Sequence, residues 1–253
     1  MTLTATTIAL IVVAIVVGAT LQRVSGLGMG LVVAPLLALL LGASEGVLVA
    51  NATTTVSAFL LTLAVRRAIE WRRALLIGAA AVPGAVLGAL LVGALPAAAL
   101  QILVGAVVLL GLGTGWLVDH LGKLPHVRRW WVTPGAGLVG GALNTIAGVA
   151  GPVMIVHSRL VRWGQAGFAA TMQPVFMTMG GLSVLAKTFV TPVSAWVPPW
   201  WLGVVVVGGV LVGIAVGGYL STRVTAATAR RTATIVAALG AAAALVRGLL
   251  MVV

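Results

Sequence analysis

Residues 24–35 read VSGLGMGLVVAP, and a shift of 122 positions carries them onto residues 146–157, IAGVAGPVMIVH, with Gly26 falling on Gly148. The same shift brings Asn51 onto Gln173, and farther along an offset of 129 sets PGAVLG at residues 83–88 against VGIAVG at residues 212–217. The seven extra residues before the second match fit the Trp/Pro-rich stretch 192–201, a loop by its Pro198-Pro199 pair. Identities among Gly, Ala and Val come cheaply in so biased a composition, so the order of the segments carries more weight than the letters.

What those segments are follows from the composition around them. The chain has 253 residues, of which 61% are hydrophobic and 7% charged, and its mean hydropathy is +1.22; a soluble domain has about a quarter of its residues charged. Uncharged stretches cover residues 1–22, 24–44, 46–65, 74–118, 130–158, 163–186, 188–222 and 232–246. Most reach or exceed the roughly 20 residues that cross a bilayer. No soluble catalytic or nucleic-acid-binding domain fits between them, so residues 1–253 read as one integral membrane unit, with pseudo-repeats at 1–118 and 130–253 joined by a linker at 119–129. The absence of cysteine excludes disulfides, thiolate metal sites and cysteine nucleophiles. Residues 1–7 lack the positive region of a secretory signal, so the first apolar run is read as mature protein. Arg in preference to Lys, with abundant Ala, Gly and Val, points to a GC-rich bacterial genome.

Each half offers five apolar segments, at about 7–22, 28–42, 46–65, 74–93 and 97–118, then 130–144, 148–158, 163–186, 202–220 and 232–253. The expected class is an all-α polytopic membrane protein of about 8–10 segments. The first two segments of each half are short and Gly-interrupted, and about 15 residues reach only about 22 Å of a 30 Å hydrocarbon core. They are expected to tilt, or to form the arms of a broken or re-entrant hairpin.

The formal charge of +12, from 15 basic and 3 acidic residues, reports topology rather than a nucleic-acid partner. Basic residues concentrate in cytoplasmic loops. Arg66, Arg67, Arg72 and Arg73 lie between the third and fourth segments of the first half, where the second half has only Lys187 and prolines. The next loop reverses this: residues 93–96 are uncharged, while the counterpart carries Arg223, Arg230 and Arg231. With Lys123, Arg128, Arg129, Arg159, Arg162 and Arg23, thirteen of the fifteen basic residues fall on one side, and only Lys187 and Arg247 on the other. Corresponding loops thus face opposite sides, the arrangement of an inverted repeat, with both termini extracytoplasmic.

Inverted repeats with interrupted helices at matching positions mark secondary transporters, whose site lies where the breaks meet. Gly26, Gly28 and Gly30 leave the amides of Leu27, Met29 and Leu31 uncovered at the first break, and a helix start beyond them favours an anion. The second break, with Asn144 before it and Gly148, Gly151 and Pro152 within it, has the same potential. Close helix packing is the competing explanation for such glycines; their pairing across the halves favours the breaks. Arg23 adjoins the first break, and is a cytoplasmic anchor if the preceding segment spans or a deep substrate partner if it re-enters. Asn51, Thr54 and Thr55 share a helix face by i, i+3, i+4 spacing, and Met172, Gln173 and Thr178 lie on the matching helix, with Pro174 adding a kink. Their polar groups either bond substrate oxygens or, for the hydroxyls, bond the backbone one turn earlier. The amides of Asn51 and Gln173 are the stronger substrate candidates, because an unsatisfied amide in lipid is costly.

The remaining features read as structural. Gly209, Gly213 and Gly217, and Ala80, Gly84 and Gly88, have the spacing of close helix crossings, and Gly-rich faces of this kind offer a surface for a homodimer. The eight tryptophans, Trp163 among them, sit near expected segment ends as interfacial belts. His120 and His126 fall in the linker, and His157 ends a short segment at the interface. No acid falls inside an expected span: Glu45 and Glu70 are placed in loops and Asp119 in the linker. This argues against a metal site, a buried carboxylate relay and paired-carboxylate hydrolysis, and no cofactor is expected. A cavity held by amides and neutral side chains suits an anion.

At these residues the chain resembles the sulfite and organosulfonate exporter family, TauE/SafE or TSUP. The likeness spans nearly the whole chain and rests on GLGMG and LVVAP within residues 26–35, ANAT at residues 50–53, EWR at residues 70–72, PGAVLG at residues 83–88, and the two-fold repetition. The resemblance implies two related halves and transport of small sulfur-containing anions across a bacterial inner membrane. The second half departs from the pattern: its glycine cluster is reduced to GVAGP, Trp200-Trp201 lacks an acidic neighbour, and Gln173-Pro174 follows Ala170-Thr171-Met172.

The expected function is therefore secondary transport of a small anion (sulfite, a sulfonate or a related organic acid) by alternating access, with no enzymatic activity, since no nucleophile, base and orienting group converge at readable spacing. The alternative is a membrane subunit or scaffold presenting helix surfaces to partners. Leucine at Gly28 and Gly148 would abolish transport in a folded carrier, whereas a scaffold would lose assembly when Gly213 is changed.

Overall fold

The computed structural model describes residues 4–26, 29–121, 124–190 and 199–252, and helices joined by short connections make up most of them. Gly28, Lys123 and Trp196, and the side chain of Asp119, lie outside the described residues. Among the described residues ten α-helices follow in order: α1 Ala5–Ser25, α2 Gly30–Leu41, α3 Ala43–Val65, α4 Trp71–Ala94, α5 Ala97–Leu121, α6 Val132–Ala147, α7 Gly151–Leu160, α8 Gln165–Phe189, α9 Trp200–Leu220 and α10 Ala226–Leu250, with a 3-10 turn at Arg66–Ala68. They coincide one for one with the ten apolar segments of the sequence. Seven of them (α1, α3, α4, α5, α8, α9 and α10) are long and apolar enough to cross a membrane.

One expectation about length is corrected. The first segment is not short: α1 runs for 21 residues, because the Thr4 hydroxyl caps its start by accepting from the Thr7 amide and the helix continues through Gln22 and Arg23 to Gly26. The other three are short as expected, with 12 residues in α2, 16 in α6 and 10 in α7. Glu45 is also relocated, since α3 begins at Ala43 and places that carboxylate in its first turn, where the helix dipole favours it.

Large apolar side chains such as Leu75, Leu87, Leu110, Val204 and Leu239 are exposed on the outer faces. Lipid is the environment in which that exposure carries no penalty. Inside, small residues set the packing. On α9, a Cβ at Gly213 would stand 2.6 Å from the Ala19 Cβ and 2.7 Å from the Val16 carbonyl oxygen of α1, and Gly209 faces Ile15 in the same way. On α4, Gly84 and Gly88 lie against Leu138 and Ala142 of α6, while Gly137 and Gly141 of α6 lie against Ile77 and Ala81 of α4. Both glycine stripes picked out in the sequence are thus filled by the chain's own helices. The same cross-half pairing occurs twice: α1 packs on α9 and α6 on α4, while α3 meets α8 and α5 meets α10.

Candidate functional site

α1 and α6 end in the same way. Gly26 has φ 71° and ψ 0°, its N–H donating to the Gln22 carbonyl; Gly148 has φ 72° and ψ 16°, its N–H donating to the Asn144 carbonyl. This is the left-handed C-cap that glycine adopts without a Cβ penalty. The shift of 122 that pairs Gly26 with Gly148 also pairs Gln22 with Asn144. Beyond each cap a second helix begins, α2 at Gly30 and α7 at Gly151, and neither N-cap residue supplies a side-chain bond to the first-turn amides. Pro152 occupies the first turn of α7, where its missing N–H costs nothing. The two breaks touch: a Cβ on Gly30 would collide with the carbonyl oxygen of Gly148.

A cavity of about 300 Å³ opens at this junction. Gly26, Gly30, Gly148 and Gly151 line it from the breaks, Thr54 from α3 and Asn144 from α6, and it extends toward Arg159 and Arg230 past an apolar wall that includes Trp163, Phe168 and Phe176. The Thr54 Oγ1 is buried with no hydrogen-bond partner among the described residues. It breaks the habit of its neighbours: Thr53 and Thr55 both donate to the carbonyl one turn earlier, at 2.7 and 2.8 Å. Thr54 is thus the hydroxyl of that face left free for a ligand.

The other sequence candidates fall into a surrounding layer. Asn51 is fully buried and does not line the cavity; its Nδ2 donates to the Asn144 carbonyl at 3.0 Å and to Ser183 Oγ at 2.8 Å, while its Oδ1 accepts from Asn144 Nδ2 at 2.8 Å. Its role is to fix the end of α6 that forms the second break. Gln173 stands in the corresponding place for the first break: its Oε1 accepts from Gln22 Nε2 at 3.3 Å, and Gln22 Oε1 in turn accepts from Ser57 Oγ at 2.6 Å. Each half therefore reaches across to hold the helix that precedes the other half's break. Thr55 packs against Gly180. Arg23 is exposed and lays its stem on Gly217 of α9, away from the cavity.

Several residues here were read otherwise or missed in the sequence. Trp163 is buried rather than part of an interfacial belt: its Nε1 donates to Glu70 Oε1 at 2.6 Å, and the Arg73 guanidinium lies 4.6 Å from its ring centre. Glu70 also pairs with Arg73 at 3.3 Å, and its backbone N–H donates to Thr171 Oγ1. His157 is buried as well, with Nε2 at 3.1 Å from the Thr133 hydroxyl and its ring edge-on to Trp163. Gln22 was the readable omission, since the shift that defines the repeat sets it opposite Asn144.

A family profile described as Sulfite exporter TauE/SafE matches residues 10–245. The chain belongs to the TauE/SafE family. No curated protein and no solved structure matches it significantly. Membership in TauE/SafE makes this a multi-pass membrane protein of a transporter family.

Within this TauE/SafE protein the Trp163 clamp ties the cavity wall to the α3–α4 connection. Trp163→Phe and Glu70→Ala are each expected to lower stability by about 1.5–3 kcal/mol, the net worth of a charge-assisted hydrogen bond. Together they should cost little more than either alone, because both remove the same bond. Thermal unfolding of the two single variants and the double variant in detergent gives the cycle; full additivity would separate the two residues.

Proposed function

We propose that the chain is a secondary transporter that moves a small oxyanion, sulfite, a sulfonate or a related organic acid, across a bacterial inner membrane by alternating access between two inverted halves. The observation that carries this reading is the cavity where both breaks meet, with the unpartnered Thr54 hydroxyl inside it. Backbone amides at helix starts and a hydroxyl together offer the donors that an oxyanion accepts from. Arg159 and Arg230 border the same cavity, and its lining among the described residues includes no acid. An anion is attracted there and a cation is not.

The reciprocal contacts support the inverted arrangement. Asn51 on Asn144 and Gln173 on Gln22 are the same bond made once by each half. Taken with the loop charges, the cavity opens toward the side that carries Arg66, Arg67, Arg159 and Arg230, which the positive-inside rule makes cytoplasmic, with both termini outside. In alternating access this is the cytoplasm-facing state, and the opposite state would close the cavity and expose the break from the other side.

The test is flux of labelled sulfite, small sulfonates and small carboxylates in proteoliposomes. Thr54→Val preserves shape and removes the donor, and is expected to weaken apparent affinity for the transported anion about 10- to 100-fold, equivalent to one hydrogen bond to a charged group. Thr54→Ser should retain most of it. Wild-type kinetics in Thr54→Val, or no saturable flux of any small oxyanion by the wild type, would contradict the reading.

A further inference from the structure

α2, α5 and α10 each run from this cavity to a second one at their opposite ends. The second cavity, about 220 Å³, is lined by Gly42, Ser44, Glu45, Gln101 and Arg247 among other residues. α10 meets the first cavity at Arg230 and Thr234 and the second at Arg247 and Met251; α2 meets them at Gly30 and beside Gly42. The two cavities therefore open on opposite faces of the helical body. Along α3 the rise from Glu45 to Thr54 is about 14 Å at 1.5 Å per residue, and this is the septum that a substrate must cross.

The α3–α8 contact through that septum is polar. Asn144 at the wall of the first cavity bonds Asn51, and Asn51 bonds Ser183 Oγ. Lys187 follows Ser183 by one helical turn on the same face of α8. Its side chain is buried, 5% exposed, with no hydrogen-bond partner for Nζ among the described residues. A lysine amine buried with no acceptor for its N–H groups is destabilising, and hydrophobic replacement of such a group is often neutral or stabilising. Membrane insertion scales also disfavour a lysine in a span. Its presence beside a route for anions calls for a functional partner.

We propose that Lys187 is a second anion-binding residue, on the far side of the Asn51–Asn144 septum from Thr54, and that the transported oxyanion pairs with it. The ligand is the same small oxyanion as in the transport reading, on which this proposal rests. When the face bearing Glu45 and Arg247 opens, the anion reaches the Lys187 amine.

The chain has two lysines, Lys123 and Lys187, so Lys123→Arg leaves Lys187 as the sole lysine amine. In proteoliposomes of that variant, a small membrane-impermeant amine reagent applied to the Glu45 face, followed by peptide mass mapping, reads the residue directly. Lys187 is expected to be modified from that face and sulfite to slow its modification at least about fivefold, with choline chloride having no effect, as bound ligand protects the group it contacts. In parallel Lys187→Met should lose at least about tenfold in sulfite flux with a thermal midpoint at or above wild type, and Lys187→Arg should keep much of the flux, since it keeps the charge. No modification from that face, a rate indifferent to sulfite, or wild-type flux in Lys187→Met overturns the proposal. If sulfite protects Lys187 while the wild type moves no oxyanion, the binding site stands and the transport reading falls.

Discussion

Gly30→Ala is expected to reduce sulfite flux about 10- to 100-fold and to lower stability by about 1–3 kcal/mol, the usual range for overpacking a tight site. The added methyl would collide with the carbonyl oxygen of Gly148 and stand 3.8 Å from Thr54 Oγ1. No flexible side chain is available to yield, because the obstacle is backbone. Nor can the second break retreat freely, since the Asn144 carbonyl and amide are both bonded to Asn51. The two breaks must then separate, and the donors around the anion move with them. Gly151→Ala is the matching control: it lines the same cavity, yet a Cβ there meets nothing within 4 Å. Its expected effect on stability is negligible, and any loss of flux should be much smaller than at Gly30. Flux per reconstituted protein, with thermal unfolding in detergent, separates the two; equal behaviour would show that the contact between breaks is unimportant.

Asn51→Ala is expected to be the most destabilising single change in the polar interior, by about 3–5 kcal/mol. It removes three buried hydrogen bonds at 2.8 to 3.0 Å and leaves Asn144 Nδ2 and Ser183 Oγ without that partner, while the Asn144 carbonyl keeps the Gly148 N–H; each unsatisfied buried group costs about 1–3 kcal/mol. Gln173→Ala should cost much less, about 1 kcal/mol, because its two bonds are long, at 3.3 and 3.4 Å. Sequence treats the two amides as equals, related by the shift of 122. The structure makes the second break the rigid one and the first the looser one. Thermal midpoints of the two variants check the order, and a larger loss at Gln173 would reverse that assignment.

Much of the fold was legible because lipid leaves few choices. Runs without charge had to be helices, and Gly26 and Gly148, where regular helix stops, were visible from the repeat alone. The length of α1 was not: Gln22 and Arg23 look like the end of a span, and only the capping geometry at Thr4 and Gly26 shows the helix continuing. The site was half legible. Thr54 and Asn144 do line the cavity, but nothing local distinguishes Thr54 from Thr53 and Thr55, whose hydroxyls turn back onto the helix. Asn51 was found as a buried amide and misjudged in distance from the cavity, since its partners Asn144 and Ser183 come from remote helices. Trp163 and His157 sit at helix ends in the sequence, where an interfacial place is the ordinary expectation. Their burial depends on Glu70 and Thr133 folding over them.

The claim at the centre of this account is that a small oxyanion binds between the breaks beside Thr54. Selenite, the selenium analogue of sulfite, tests it most directly, and a chain without cysteine has no thiol to react with it. Diffraction from crystals soaked in selenite, recorded at the selenium edge, is expected to show an anomalous peak in the cavity that Gly30 and Gly148 line, within hydrogen-bonding reach of Thr54 Oγ1 and the first-turn amides of α7. That peak should be missing in Thr54→Val. Selenium bound only elsewhere, or an empty junction at selenite concentrations that saturate transport, would contradict the account.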